Sequence, residues 1–224
     1  MAGILDVATS EFAEKGLSGA RIDKIAAATQ TSKRMIYYYF GSKEGLFIAV
    51  LEGIYRNMDE AESAIALDAT QPVATLTAVI RFVHGYYRKN PEFVTLLNTE
   101  NLHKGRHIAK SLRASEYSSR AIAIVRELIA SGAAQGLFRS DLAPRDVYLL
   151  ITATGYFYTS NRHTLTAFLG EPLENADAVS HWEDFVIETV LRTVRIDESP
   201  EPSISPTHKA TPWQKSPPAE SPAK

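Results

Sequence analysis

Residues 31–40 read TSKRMIYYYF, two cations directly ahead of three consecutive tyrosines and a phenylalanine. At helical spacing Ile36 and Phe40 are four apart and share a face that turns inward. Lys33, Arg34 and Tyr37 then fall on the opposite side, with Tyr38 and Tyr39 at its flanks. Aromatic stripes at this spacing usually serve a core. Three adjacent tyrosines cannot all do so on one short helix, because positions i to i+2 fan over about 200° of its surface. At least one must face outward.

A second short helix precedes this one. Ile22, Ile25 and Ala26 mark it between about Arg21 and Ala28, and TQTS forms the turn that follows. Helix, tight turn and helix is the arrangement that projects a helix into the DNA major groove. Between Asp23 and Glu44 stand Lys24, Lys33, Arg34 and Lys43 with no carboxylate, so a basic patch exists within a chain of formal net charge −2. Affinity for nucleic acid must come from such local clustering, not from the whole-chain charge. Lysine and arginine reach phosphates or guanine edges, and a tyrosine hydroxyl on a rigid ring donates well to phosphate.

Outward from this segment the chain reads as helix almost throughout. Apolar residues recur at three- and four-residue steps, and nothing shows the alternation that strands require. Ile4, Leu5, Ala8, Phe12 and Ala13 form a first stripe stopped by Gly16. Ser42 caps a long fourth helix with Glu44 in its first turn and Leu46, Phe47, Val50, Leu51 and Ile54 on its buried side. Pro72, Pro91 and Pro144 each open a helix, where a missing N–H costs nothing. Further helices are expected near 115–135 and from about Val179 to Ile196. The fold class is therefore all-α with about nine helices, the first three very short.

Three segments follow from this pattern: a helix-turn-helix unit over 1–44, a larger helical unit over 45–196, and a tail over 197–224. Seven of the eleven prolines fall in that tail, which cannot offset the entropy of ordering and is expected to be disordered. With no cysteine, disulfides, thiolate metal sites and a Cys nucleophile are excluded. No apolar run approaches a membrane span and no signal peptide opens the chain, so a soluble, cytoplasmic protein with no membrane partner is expected.

The first fifty or so residues resemble the DNA-binding domain of the TetR family of transcriptional regulators. The matching stretches are ILDVATSEFAEKG, RIDKIAAAT and TSKRMIYYYFGSKEGLFIAVL, the last as recognition helix, turn and start of the fourth helix. The resemblance implies a ligand-responsive homodimer, a repressor released from palindromic operator DNA by a small molecule. It puts Lys33, Arg34 and Tyr37 nearest the bases and Tyr38, Tyr39 and Lys43 on phosphates, with Met35 able to meet a thymine methyl and Arg21, Thr31 and Ser32 in the same surface. Three departures stand out. Ala20 replaces a threonine that caps the second helix in many relatives, so Ser18 or Gly19 would cap instead. Gln30 replaces a turn glycine, and the chain begins almost at the first helix without a basic arm.

In the family, the helices after the fourth bind ligand and dimerise. Polar or aromatic residues on otherwise apolar helices are the pocket candidates: His84, Tyr87, Phe93, Asn98, Asn101, Tyr117, Arg120, Tyr156 and Phe157. The last two helices carry stripes suited to a two-fold four-helix interface, or to the core of one chain. These are Val147, Leu150, Ile151, Thr154 and Tyr158 on one helix, and Trp182, Phe185, Val186, Thr189, Val190 and Thr193 on the other.

The competing readings are a helical enzyme and an adaptor with a vestigial helix-turn-helix. His103 and His107 are four apart with Glu100 nearby, a spacing that can serve a metal, but Gly105 interrupts the helix between them. No nucleophile elbow, P-loop or dinucleotide fingerprint is present, so no cofactor, metal or catalytic residue is expected. Salt-sensitive DNA retention separates a regulator from both rivals.

Overall fold

The computed structural model describes residues 2–63, 65, 68–111 and 113–196, giving the backbone alone at residues 2 and 114–119. Among them are nine α-helices: α1 (Ala2–Gly19), α2 (Ile22–Ala28), α3 (Lys33–Phe40), α4 (Lys43–Ser63), α5 (Pro72–Lys89), α6 (Pro91–Leu102), α7 (Ala114–Ala134), α8 (Pro144–Leu169) and α9 (Ala176–Val194). A single 3-10 turn, Ile108–Lys110, follows α6. The lone β-bridge described, Phe138 to Arg195, ties the α7–α8 loop to the end of α9. The expected tail at 197–224 lies outside the described residues.

The prolines open α5, α6 and α8 as anticipated. The first helix is not short: its axis breaks at Gly16, at φ 67°, yet helical backbone resumes through Gly19. Glycine takes that left-handed conformation without the cost a Cβ would bring. Gly16 reads as a helix stop in the sequence, which is why the continuation to Gly19, with Leu17 packed on the core, was invisible there.

α1, α2, α3 and the first turns of α4 share one core, where Phe12 and Phe47 meet edge to face at 5.1 Å with Ala8, Ile25, Ile36 and Leu46 fully buried around them. α4 then continues into a second set of helices, running beside α5 and α7. α5 lies at the centre of that set and touches α4, α6, α7, α8 and α9. One continuous helix thus belongs to both halves of the molecule.

His84 on α5 is buried against α8 where Gly155 lets the helices approach; a Cβ there would sit 2.9 Å from the imidazole. Burial lowers its pKa to about 4, the bond to the Ile151 carbonyl opposing this, so the ring is neutral. It is a packing residue and not the pocket residue the sequence suggested.

Candidate nucleic-acid interface and ligand cavity

The helix-turn-helix is fixed by local chemistry. Ser32 caps α3, its hydroxyl accepting from the Met35 amide at 3.2 Å, and Ser42 caps α4 by accepting from Gly45 at 2.9 Å. Gln30 adopts φ 51° in the turn, so this residue makes the left-handed bend that glycine commonly makes. At α2 neither Ser18 nor Gly19 caps. The first-turn amides of α2 have no side-chain cap, and the carboxylate of Glu11, on α1, instead accepts from the amide of Arg21, the residue before the helix, at 2.9 Å.

On α3 only Ile36 is buried. Tyr38 is 78% exposed and Tyr37 and Tyr39 are near half, which puts all three rings at the surface beside Lys33, Arg34 and Met35. Tyr38 and Tyr39 meet edge to face at 5.4 Å. The cations differ in availability. Arg21 pairs with Asp23 at 2.7 Å, Lys33 stands 3.9 Å from the same carboxylate, and Lys43 donates to the Ser18 carbonyl at 2.9 Å. Arg34 has no ion-pair partner among the described residues and remains exposed. Thr31 is half-buried at the turn.

A cavity of about 560 Å³ opens among α4, α5, α6, α7 and α8. Tyr55, Tyr87, Phe93, Tyr148 and Tyr156 form aromatic walls, with Met58, Leu97 and Ile108 between them. Tyr87 stacks on Phe93 at 5.7 Å, and Tyr55 meets the same ring edge on at 5.6 Å. Burial pushes the Tyr55 phenol up to about 12 and raises Tyr87 further, so these hydroxyls stay protonated. Tyr87, Phe93, Asn101 and Tyr156 of the sequence-derived candidates line this space. Asn98 stands behind it, accepting from the hydroxyls of Tyr156 and, at 3.1 Å, Ser160.

The other candidates fall elsewhere. Arg120 is exposed and bridges to Asp59 at 2.8 Å at the rim. Phe157 is 56% exposed on the outer side of α8, away from the cavity. The side chain of Tyr117 lies outside the described residues. What the sequence missed is the contribution of α4: Tyr55, Met58, Asp59 and Glu62, spaced for one helical face, all line the cavity, as does Tyr148 of α8.

Glu62 is 5% exposed, and among the described residues its side chain makes no hydrogen bond or ion pair. Burial raises its carboxyl to about 7, reinforced by Asp59 and opposed by Arg120. Its folded pKa exceeds the reference value of 4.5, so the stability it contributes is complete below 4.5 and is lost as pH rises through about 7. Glu62→Gln removes this titration. Urea unfolding should find the variant gaining about 2 to 3 kcal/mol on the parent between pH 5 and pH 8.5. A difference independent of pH would mean that the carboxyl is hydrated in the folded protein.

A third cluster connects the two halves. Glu100, buried on α6, accepts from the amides of His107 and Ile108 at 2.7 and 2.9 Å and from His107 Nδ1 at 2.6 Å. Burial alone would raise this carboxyl, but these donors outweigh it and hold it below the usual carboxylate range. His107 lies edge on to Phe47 at 5.2 Å, Lys110 pairs with Glu44 at 2.6 Å, and Ser111 donates to Glu52, so this one loop grips α4 at three points. Of the two histidines of the sequence spacing, His107 serves this structural link, while the ring of His103 bonds the Thr99 carbonyl one turn earlier at 2.8 Å. No group of three metal-ligating side chains occurs among the described residues, and no described helix is long and apolar enough to cross a membrane.

On α8 and α9, Val147, Ile151, Val186 and Val190 are consumed by the chain's own core. They cannot face a second subunit, because the four residues are almost wholly covered within one. Thr154 is likewise turned toward α5, within 3.3 Å of His84. Leu150, Tyr158, Trp182, Phe185, Thr189 and Thr193 retain exposed surface. Tyr158 and Phe185 stack on either side of Trp182 at 5.2 and 5.7 Å.

Comparison with known proteins agrees with this architecture at both ends. Residues 4–50 match the family of bacterial regulatory proteins, tetR family, and residues 72–190 match the tetracyclin repressor-like C-terminal domain. The chain is 44% identical over 192 residues to the HTH-type transcriptional repressor NicS of Pseudomonas putida, covering 86% of this chain and 91% of that protein. It is 29% identical over 153 residues to the repressor SCO4008 of Streptomyces coelicolor, covering 68% and 74%. The crystal structure of the regulator SCO4942 from Streptomyces coelicolor superimposes with a TM-score of 0.64 at 22% identity, over 86% of this chain and 97% of that one, a likeness of fold. With its helix-turn-helix, its helical C-terminal domain and a 44% identical relative over most of both chains, the chain belongs to the TetR family of transcriptional regulators.

Proposed function

We propose that the chain is a homodimeric repressor acting in the cytoplasm, which leaves a palindromic operator when a small molecule enters the cavity beside α4. Residues 1–44 read DNA, and residues 45–196 bind ligand and dimerise. The observation that carries this reading is the uncovered face of α3, where Lys33, Arg34 and the three tyrosines stand at the surface with Ile36 alone beneath them. The repressor names of NicS and SCO4008 support the same direction of control. Regulators of this family bind operator DNA and effectors and act as dimers. The aromatic walls favour a flat, partly polar effector over a long lipid.

α4 is the lever in this reading. A ligand among Tyr55, Met58, Asp59 and Glu62 touches the far half of the helix whose first turns hold the DNA-reading unit. A tilt of α4 changes the spacing of two recognition helices that must meet major grooves about 34 to 36 Å apart.

Selecting bound fragments from the source genome gives the operator and tests the reading. Tyr37→Ala and Arg34→Ala should each weaken operator binding by about 1 to 3 kcal/mol where they contact bases. Lys43→Ala, at a phosphate position, should weaken all sequences alike and lower the salt slope by about 1. A folded Tyr37→Ala variant that binds its operator as tightly as the parent would reject the assigned face.

A further inference from the structure

The polar groups that line the cavity are unequally matched. Asp59 gives Oδ2 to Arg120, while its Oδ1 is buried with no hydrogen-bond partner. Three residues on, Glu62 is nine-tenths buried and lines the same space, and among the described residues its side chain has no hydrogen-bond or ion-pair partner. Both residues lie on one face of α4 and line the cavity together with the rings of Tyr55, Tyr87 and Tyr148. No lysine, arginine or histidine lines the cavity among the described residues. A buried acceptor left unpaired costs free energy, and a site that keeps Asp59 Oδ1 in that state, with the largely buried Glu62 carboxyl beside it, is built to have it filled.

We propose that the effector is a flat aromatic amine, its ring held between the tyrosines and its protonated nitrogen seated between Asp59 Oδ1 and the Glu62 carboxylate. This deepens the reading of the cavity as the effector site and rests on it. A cation answers every feature at once. It donates to both oxygens in charge-assisted bonds, and the surrounding aromatic faces stabilise it further. A neutral ring would leave the acceptors unpaired. An anion would add like charge to two desolvated carboxylates, and the nearest cation, Arg120, is exposed and already bridged to Asp59.

The raised carboxyl of Glu62 gives the proposal a signature. With a midpoint of about 7, roughly half the molecules carry a proton there at pH 7, and an incoming cation expels it. Binding should therefore release protons, seen in calorimetry as a heat that differs between phosphate and Tris buffers.

The full-length protein is titrated with three probes of one shape: 2-naphthylmethylamine, 2-naphthylmethanol and 2-naphthoate. The amine should bind at least about tenfold more tightly than the alcohol and release protons, with the naphthoate weakest. Glu62→Gln, and separately Asp59→Asn, should abolish the amine's advantage, and Glu62→Gln the proton release. Ala153→Trp, at the exposed mouth of the cavity, should block all binding. Amine and alcohol binding equally, both blocked by Ala153→Trp, overturns the amine and leaves the cavity as effector site. No binding by any probe, or binding indifferent to Ala153→Trp, overturns the cavity reading and the amine with it.

Discussion

Glu100→Ala is expected to cost about 3 to 5 kcal/mol of stability, a loss out of proportion to one surface-like glutamate on a helix. The largely buried carboxylate answers two backbone amides and one imidazole nitrogen. Alanine leaves all of them without an acceptor. Glu100→Gln separates the contributions. Its carbonyl oxygen can still take the two amides, but its NH2 would face the Nδ1–H of His107. The imidazole can answer only by moving its proton to Nε2, which forfeits the bond from Arg106 Nε at 3.2 Å. The glutamine variant should therefore lose less than alanine, about 1 to 2 kcal/mol. Because the Glu100 carboxyl is lowered in the fold, its contribution is present above its unfolded pKa and fades as pH falls through the folded one, so the alanine variant should also show a flatter acid limb. Urea unfolding across pH checks both. Midpoints equal to the parent's in both variants would remove Glu100 from the structural link.

The same loop explains why the substitution should reach DNA binding. His107, Lys110 and Ser111 hold α4 at Phe47, Glu44 and Glu52, beside the turns that carry the DNA-reading core. Loosening α6 from this loop should reduce the factor by which effector and operator weaken each other, a coupling that is typically 5- to 150-fold and reciprocal.

The exposed face of α3 was legible in the sequence because three adjacent tyrosines cannot share one buried face of a short helix; its assignment as recognition helix came from the resemblance to the family. What their neighbours do was not legible, since it depends on distant partners. Lys43 reaches a carbonyl 25 residues away, and Glu11 holds the Arg21 amide at the start of α2 from the preceding helix. The cavity shows the same limit. Tyr87, Phe93 and Tyr156 stood out as aromatic residues on otherwise apolar helices. Asp59 and Glu62 did not, because DEAES at the end of α4 has the composition of a solvated helix terminus. Only the packing of α5 and α7 beside α4 separates buried Glu62 from exposed Glu60. In α8 and α9 the periodicity identified apolar stripes without saying which side of each belonged to the monomer. The core claimed Val147, Ile151, Val186 and Val190.

Phe185→Glu should therefore produce monomers, and with them a fall in operator affinity of about 100-fold or more. The residue is 53% exposed at the end of the stack formed with Trp182 and Tyr158, and it heads a stripe continued by Thr189 and Thr193. Both threonines spend their hydroxyls on backbone carbonyls one turn earlier, at 2.8 Å, which satisfies the polar atoms within the helix. The stripe is thus less polar than its sequence, as a surface meant for a second copy requires. In a two-fold arrangement each subunit contributes the same patch, so one substitution places two carboxylates in a shared apolar interface. Each is desolvated without a partner and repels the other. The fold of the monomer should survive, because the side chain is outside its core. A single helix-turn-helix then reads one half-site, and the affinity gained by linking two is lost. Light scattering gives the mass and fluorescence anisotropy the operator affinity. A Phe185→Glu protein that remains dimeric would move the interface away from this stripe.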